Sequence, residues 1–121
     1  MFDEDAYFGS KSTKELIENA ENVNVSVIVR GRSIVQIGMR AHDDERLSQK
    51  LAEWAVNPEF QHTEWVGTVS IAWVSACALA YSDPTEEGRR KVRSILGQWD
   101  SGEREMLLNW AKRESWFNGI S

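Results

Sequence analysis

Residues 23–40 read VNVSVIVRGRSIVQIGMR: two apolar runs around Arg30-Gly31-Arg32, with three arginines and no acid. The question it raises is whether this is a structural hairpin or a basic finger that reaches for a nucleic acid. Side-chain parity points to a β-hairpin. With a three-residue loop at Arg30 to Arg32, strands over 23–29 and 33–39 pair Val29 with Ser33, Val27 with Val35, Val25 with Ile37 and Val23 with Met39. Those residues, apolar except Ser33, share one face. An even loop would instead set valines against Gln36 and Gly38. A two-stranded hairpin is marginal alone in water, so helices or a second copy of the hairpin must cover it. The expectation is an α+β fold, one antiparallel hairpin packed against about five α-helices.

On the N-terminal side, residues 1–9 (MFDEDAYFG) read as a loosely held arm, with Phe2, Tyr7 and Phe8 available to dock it. Ser12 or Thr13 followed by Glu15 marks a helix start, and Leu16, Ile17 and Ala20 make its apolar side. On the C-terminal side a helix starts at about Asp43, with Asp43, Asp44 and Glu45 in its first turn, where carboxylates favour the helix dipole. That helix runs to about Val56, with Leu47, Leu51, Trp54 and Ala55 as its buried stripe and Asn57-Pro58 ending it.

The run WVGTVSIAWVSACALAYS, Trp65 to Ser82, carries no charge. It is long enough for a membrane span, but Gly67, Thr68 and three serines weaken its hydropathy. The expectation is a central helix over about 64–82, surrounded by the others, and no membrane partner. Its rows suit packing: Thr68, Ala72, Ala76 and Ala80 form a small ridge, and Trp65, Val69, Trp73, Cys77 and Tyr81 a large one. Two more helices follow. Asp83-Pro84-Thr85-Glu86 places Asp83 as the cap before a stripe of Val92, Ile95, Leu96 and Trp99. Asp100 caps the last helix, whose apolar residues are Leu107, Trp110, Ala111 and Phe117, with Asn118 or Gly119 ending it.

The 121 residues, with no repeat or linker, fit one domain over 1–121, and six tryptophans can build a substantial core. The net charge of -5 argues against generic binding to phosphate backbones. Its distribution is uneven, because Arg30, Arg32 and Arg40 form a basic island between two acidic segments. A single cysteine excludes an internal disulfide, and the acidic start is unlike a secretory signal, so a cytoplasmic location is expected.

Motifs for chemistry are sparse. His42-Asp43-Asp44-Glu45 offers metal-ligand types, but consecutive helical residues point apart and the helix dipole accounts for the acids. His62-Thr63-Glu64 matches half of a zinc-deaminase signature whose Pro-Cys-x-x-Cys half is missing. Cys77 lies in an apolar context that suits a buried, inert thiol. Neither a Gly-rich phosphate loop nor a nucleophile elbow is present, and no cofactor or metal is implied.

These features favour a small non-catalytic protein-binding module, such as an inhibitor, an immunity-type protein or an assembly adaptor that occludes a partner protein's surface. One alternative is a nucleic-acid-binding protein using Arg30, Arg32 and Arg40, joined by Arg89, Arg90 and Arg93 of the second basic cluster. In that cluster Glu86 and Glu87 precede Arg90 and Lys91 by four residues, the pattern of a solvated helix face. A small enzyme using Asp43, Asp44 or Glu64 is the other alternative. Free hairpin edges also allow a homodimer with a four-stranded sheet.

Overall fold

The computed structural model describes residues 4–66 and 69–112. Among them the chain runs α1 (Glu4–Gly9), α2 (Thr13–Glu21), α3 (Val27–Arg40), a 3₁₀ turn (Ala41–Asp43), α4 (Glu45–Ala55) and α5 (Pro58–Gln61). It continues with β1 (Glu64–Val66), β2 (Val69–Ser70), α6 (Ile71–Ser82), α7 (Glu86–Gly97) and α8 (Ser101–Ala111). The architecture is predominantly helical with one short antiparallel hairpin, in outline α+β.

The hairpin is not where parity put it. Val27–Arg40, expected as two strands and a loop, is one helix, and the reason lies in what the segment packs against. A run this apolar satisfies both periods, because its inward positions read as alternation and also as helical spacing. The helical reading buries Arg30, Ile34, Ile37, Gly38 and Ala41 on one side. In a hairpin Val23 and Met39 would have shared the covered face; here both are largely exposed. The β preference of valine and isoleucine is weak enough for this tertiary burial to override it.

The two glycines of α3, Gly31 expected in the hairpin loop and Gly38 in its second strand, are contact points. A Cβ on Gly31 would lie 2.1 Å from Trp65 Nε1, and one on Gly38 would lie 2.7 Å from Ala78 Cβ. Only a residue without a side chain lets the helix approach its neighbours this closely.

The uncharged run also divides. Its first residues form the hairpin, pairing Glu64 with Ser70 and Val66 with Val69 around an irregularity, and Ile71 N–H donates to the Thr63 carbonyl at 3.0 Å. Helix α6 starts only at Ile71, because the Ser70 hydroxyl accepts from Trp73 N–H and caps it. Gly67 and Thr68 lie outside the described residues, so the first member of the small ridge does too. The central position of the helix stands, since ten of the twelve α6 residues are buried, on all sides of the helix. It packs on α3 and α4, with α7 against it, while α2 lies along α3. No helix among the described residues is long and apolar enough to cross a membrane.

Several termini follow the sequence closely. Ser12 caps α2 by accepting from Glu15 N–H while bonding the Glu15 carboxylate. Asp100 caps α8 through Gly102, whereas α4 starts two residues later than expected: Asp43 lies in the 3₁₀ turn, and Asp44, expected in the first turn, is the cap, accepting from Arg46 and Leu47 N–H. At α7 the cap is Thr85, which accepts from Gly88 N–H, not Asp83. Asp83 instead accepts from Thr85 itself, one turn before the helix. The N-terminal arm is tied down from residue 4 onward: α1 buries Phe8 in the core. Phe2, Phe117, Asn118 and Gly119 lie outside the described residues.

Candidate functional site

The arginines singled out from the sequence do not converge at a loop tip. Arg30 is 2 % exposed and points inward from α3. Its Nε donates to the Ala20 carbonyl at 3.0 Å, and its two Nη atoms meet the Glu59 carboxylate at 3.1 and 2.6 Å. The guanidinium also lies over the Phe60 ring, 5.1 Å from its centroid. One planar cation thus ties the last turn of α2 to α5 and satisfies a carbonyl that the helix end leaves unpaired. Glu59 is held below its ordinary value by the Arg30 hydrogen bonds, against the opposing effect of burial, with Thr63 donating as a further partner.

Arg40 is engaged too. It donates to Thr13 Oγ1 and to the Phe8 and Gly9 carbonyls at 3.2–3.4 Å, fastening α1 and the start of α2 to α3. Arg32 is exposed on the outer face of α3. On α7, Arg90 is exposed, Arg89 half-buried, and Arg93 pairs with Glu86 at 2.8 Å. That pairing holds the Glu86 carboxyl below its ordinary value. Two of the three arginines in the basic island are therefore spent on the fold. The exposed edge on which two copies were expected to pair is a helix.

The acids considered for chemistry are scattered. Asp43 is exposed in the 3₁₀ turn, Asp44 caps α4 and Glu64 is exposed on β1. His42 Nδ1 lies 3.0 Å from the Ser82 carbonyl, which suits a donating N–H. No group of three or more His, Cys, Asp or Glu side chains that could hold a metal occurs among the described residues.

What the fold does build is an apolar cleft of about 570 Å³ between α3, the hairpin, α6 and α8. Its floor is the close contact of Gly38 with Ala78. From α3 come Val35 and Met39, from the hairpin Trp65 and Val69, from α6 Trp73, Val74, Cys77 and Tyr81, and from α8 Trp110. Trp73 and Trp110 meet edge to face, with centroids 6.3 Å apart and planes at 68°. At the mouth Met39, Tyr81 and Trp110 are 59, 58 and 41 % exposed. No described lining residue carries a formal charge.

The cleft redistributes the aromatic content. Trp54 and Trp99 are core residues whose indole N–H groups donate to Glu21 and to the Ala55 carbonyl. Trp65, Trp73 and Trp110 face the cleft instead. The Trp65 Nε1 is buried against Gly31 and makes no hydrogen bond among the described residues. Cys77, expected to be fully buried, is half-buried on the cleft wall.

A signal for this site was present in the sequence. The five residues read as one large helical ridge, Trp65, Val69, Trp73, Cys77 and Tyr81, all line the cleft, but only Trp73, Cys77 and Tyr81 share α6, while Trp65 and Val69 come from the hairpin. No family model, curated protein or solved structure matches the chain, so any functional reading rests on its own residues.

Proposed function

We propose that the chain is a non-catalytic protein-binding module and that the rim of the apolar cleft is its contact surface for a partner protein. The observation that carries this reading is the cluster of Met39, Tyr81 and Trp110, large apolar side chains left exposed around one recess. Small monomeric domains seldom expose contiguous apolar area unless something covers it. Methionine and the large aromatics are also the residues enriched at the centres of interfaces. An inhibitor or adaptor acting by occlusion needs only such a face.

The test uses the whole chain as bait in the cell that encodes it, with captured proteins quantified by mass spectrometry. Met39→Lys and Tyr81→Lys place a charge at the mouth. Val23→Lys is a matched control, because Val23 is 64 % exposed and does not line the cleft. At least one protein should be retained by wild type and Val23→Lys and lost with both mouth variants. Identical capture by all four chains would overturn the reading.

A further inference from the structure

We propose that the recess beneath this rim is a binding site for one small, uncharged, largely apolar molecule, such as a medium-length alkyl or aryl compound. This goes beyond partner contact, which concerns the rim, and it assigns the interior a ligand of its own.

Size comes first. The recess of about 570 Å³ falls in the range of pockets that hold a single small molecule.

Shape follows from the floor. Gly38 and Ala78 touch there, and neither has a side chain long enough to fill the space above. Larger residues stand on either side: Trp65, Trp73 and Trp110 as broad faces, and Tyr81 and Met39 at the opening. At Gly38 the two helices already stand so close that an added Cβ would meet Ala78, so they cannot close the recess by moving together there.

Charge complementarity then selects the ligand class. No described lining residue carries a formal charge, and α6 has none from Ile71 to Ser82. A charged group entering the recess would shed water without meeting a counter-charge among the described lining residues, a penalty that an uncharged molecule avoids. Aromatic walls favour aryl and alkyl groups through contact area and offset or edge-on ring packing.

The purified full chain is titrated with N-phenyl-1-naphthylamine, an uncharged probe that brightens in apolar surroundings and accepts energy from nearby tryptophans. The expected result is saturable binding of one probe per chain with quenching of tryptophan emission. Displacement by 1-decanol should be effective. Displacement by decanoate at neutral pH, where it is ionised, should be about tenfold weaker or more. Cys77→Phe and Val35→Phe each enlarge a half-buried wall residue, and each should weaken the probe by about tenfold while leaving the urea midpoint near wild type. Non-saturable uptake, equal displacement by decanol and decanoate, or unchanged affinity in both folded variants would overturn the proposal. Should both variants fail to fold, the stoichiometry and the decanol–decanoate comparison on wild type still decide it. Because no partner protein enters the titration, a negative result leaves the rim reading standing, and a failed capture leaves the recess untouched.

Discussion

Gly38→Ala sets two effects of similar size against each other, and the structure says which prevails. The new Cβ would lie 2.7 Å from Ala78 Cβ and 3.3 Å from Ala78 Cα. Carbon atoms at rest sit about 3.5–4.0 Å apart, so α3 and α6 must part by roughly 1 Å. Replacing glycine by alanine inside a helix favours the folded state by about 1 kcal/mol, through propensity and a less flexible unfolded chain. Overpacking a close contact costs about 1–3 kcal/mol. The obstructing atoms are a methyl group and a backbone carbon, which move only with their helix, so the upper part of that range applies. The net expectation is a loss of about 1–2 kcal/mol, or several °C in Tm for a chain of this size.

Gly97 provides the control, since a Cβ there meets nothing within 4 Å. Gly97→Ala should raise stability by up to about 1 kcal/mol. Urea unfolding followed by tryptophan fluorescence and far-UV circular dichroism gives both midpoints at constant slope. Adding Ala78→Gly to Gly38→Ala removes the nearest obstructing atom. The double variant should therefore be more stable than the sum of the single effects predicts, by about 1 kcal/mol. A Gly38→Ala midpoint raised as far as that of Gly97→Ala, or strictly additive single and double effects, would refute the close-approach reasoning.

Arg30→Met keeps the stem of the side chain but leaves the Glu59 carboxylate and the Ala20 carbonyl without their donor. Because Glu59 is itself half-exposed, the expected loss is about 2–3 kcal/mol, below the full cost of breaking a buried pair; Arg30→Lys should recover only part of it, lacking the bidentate fork. Calorimetric or urea midpoints measure both, and a full recovery by lysine would show that charge alone matters. Acid sensitivity follows from the two partly buried carboxyls among the three held below their ordinary value of 4.5, Glu86 being fully exposed. Glu59 is lowered by its Arg30 hydrogen bonds; at Glu21 burial pushes upward, but hydrogen bonds from Lys50 and Trp54 more than offset it. The folded chain binds fewer protons there than the unfolded one, so this stability is fully present above about pH 4.5 and is lost as pH falls through the lowered values. Urea midpoints should drop on acidification in that window, and Glu59→Gln should shrink the drop; an unchanged pH profile in Glu59→Gln would contradict the assignment.

Several local signals in this chain were legible to within a residue or two. The cap at Asp100, and the one at Ser12 from the pair Ser12 and Thr13, are side-chain-to-backbone bonds within three residues that need no distant part of the fold, while at α7 and α4 the same short-range chemistry settled on Thr85 and Asp44, one or two residues from the expected positions. The stripe Leu47, Leu51, Trp54 and Ala55 was equally plain, because its polar remainder leaves one amphipathic period. The central burial of α6 follows from a run with no charge to turn toward water.

Residues 23–40 carry no such asymmetry. Nearly every second and every third or fourth position is apolar, so the segment alone is consistent with strand or helix. Tertiary contacts choose, by letting Gly31 meet the Trp65 indole and Gly38 meet Ala78, and by giving Arg30 a carboxylate 29 residues away in sequence. The cleft belongs to the same level. Its wall was visible as a row of large residues, but a row says only which side chains share a face. Whether that face is filled by a neighbour or left as a recess depends on where α3 and α8 come to rest, and this is a matter of packing between distant segments.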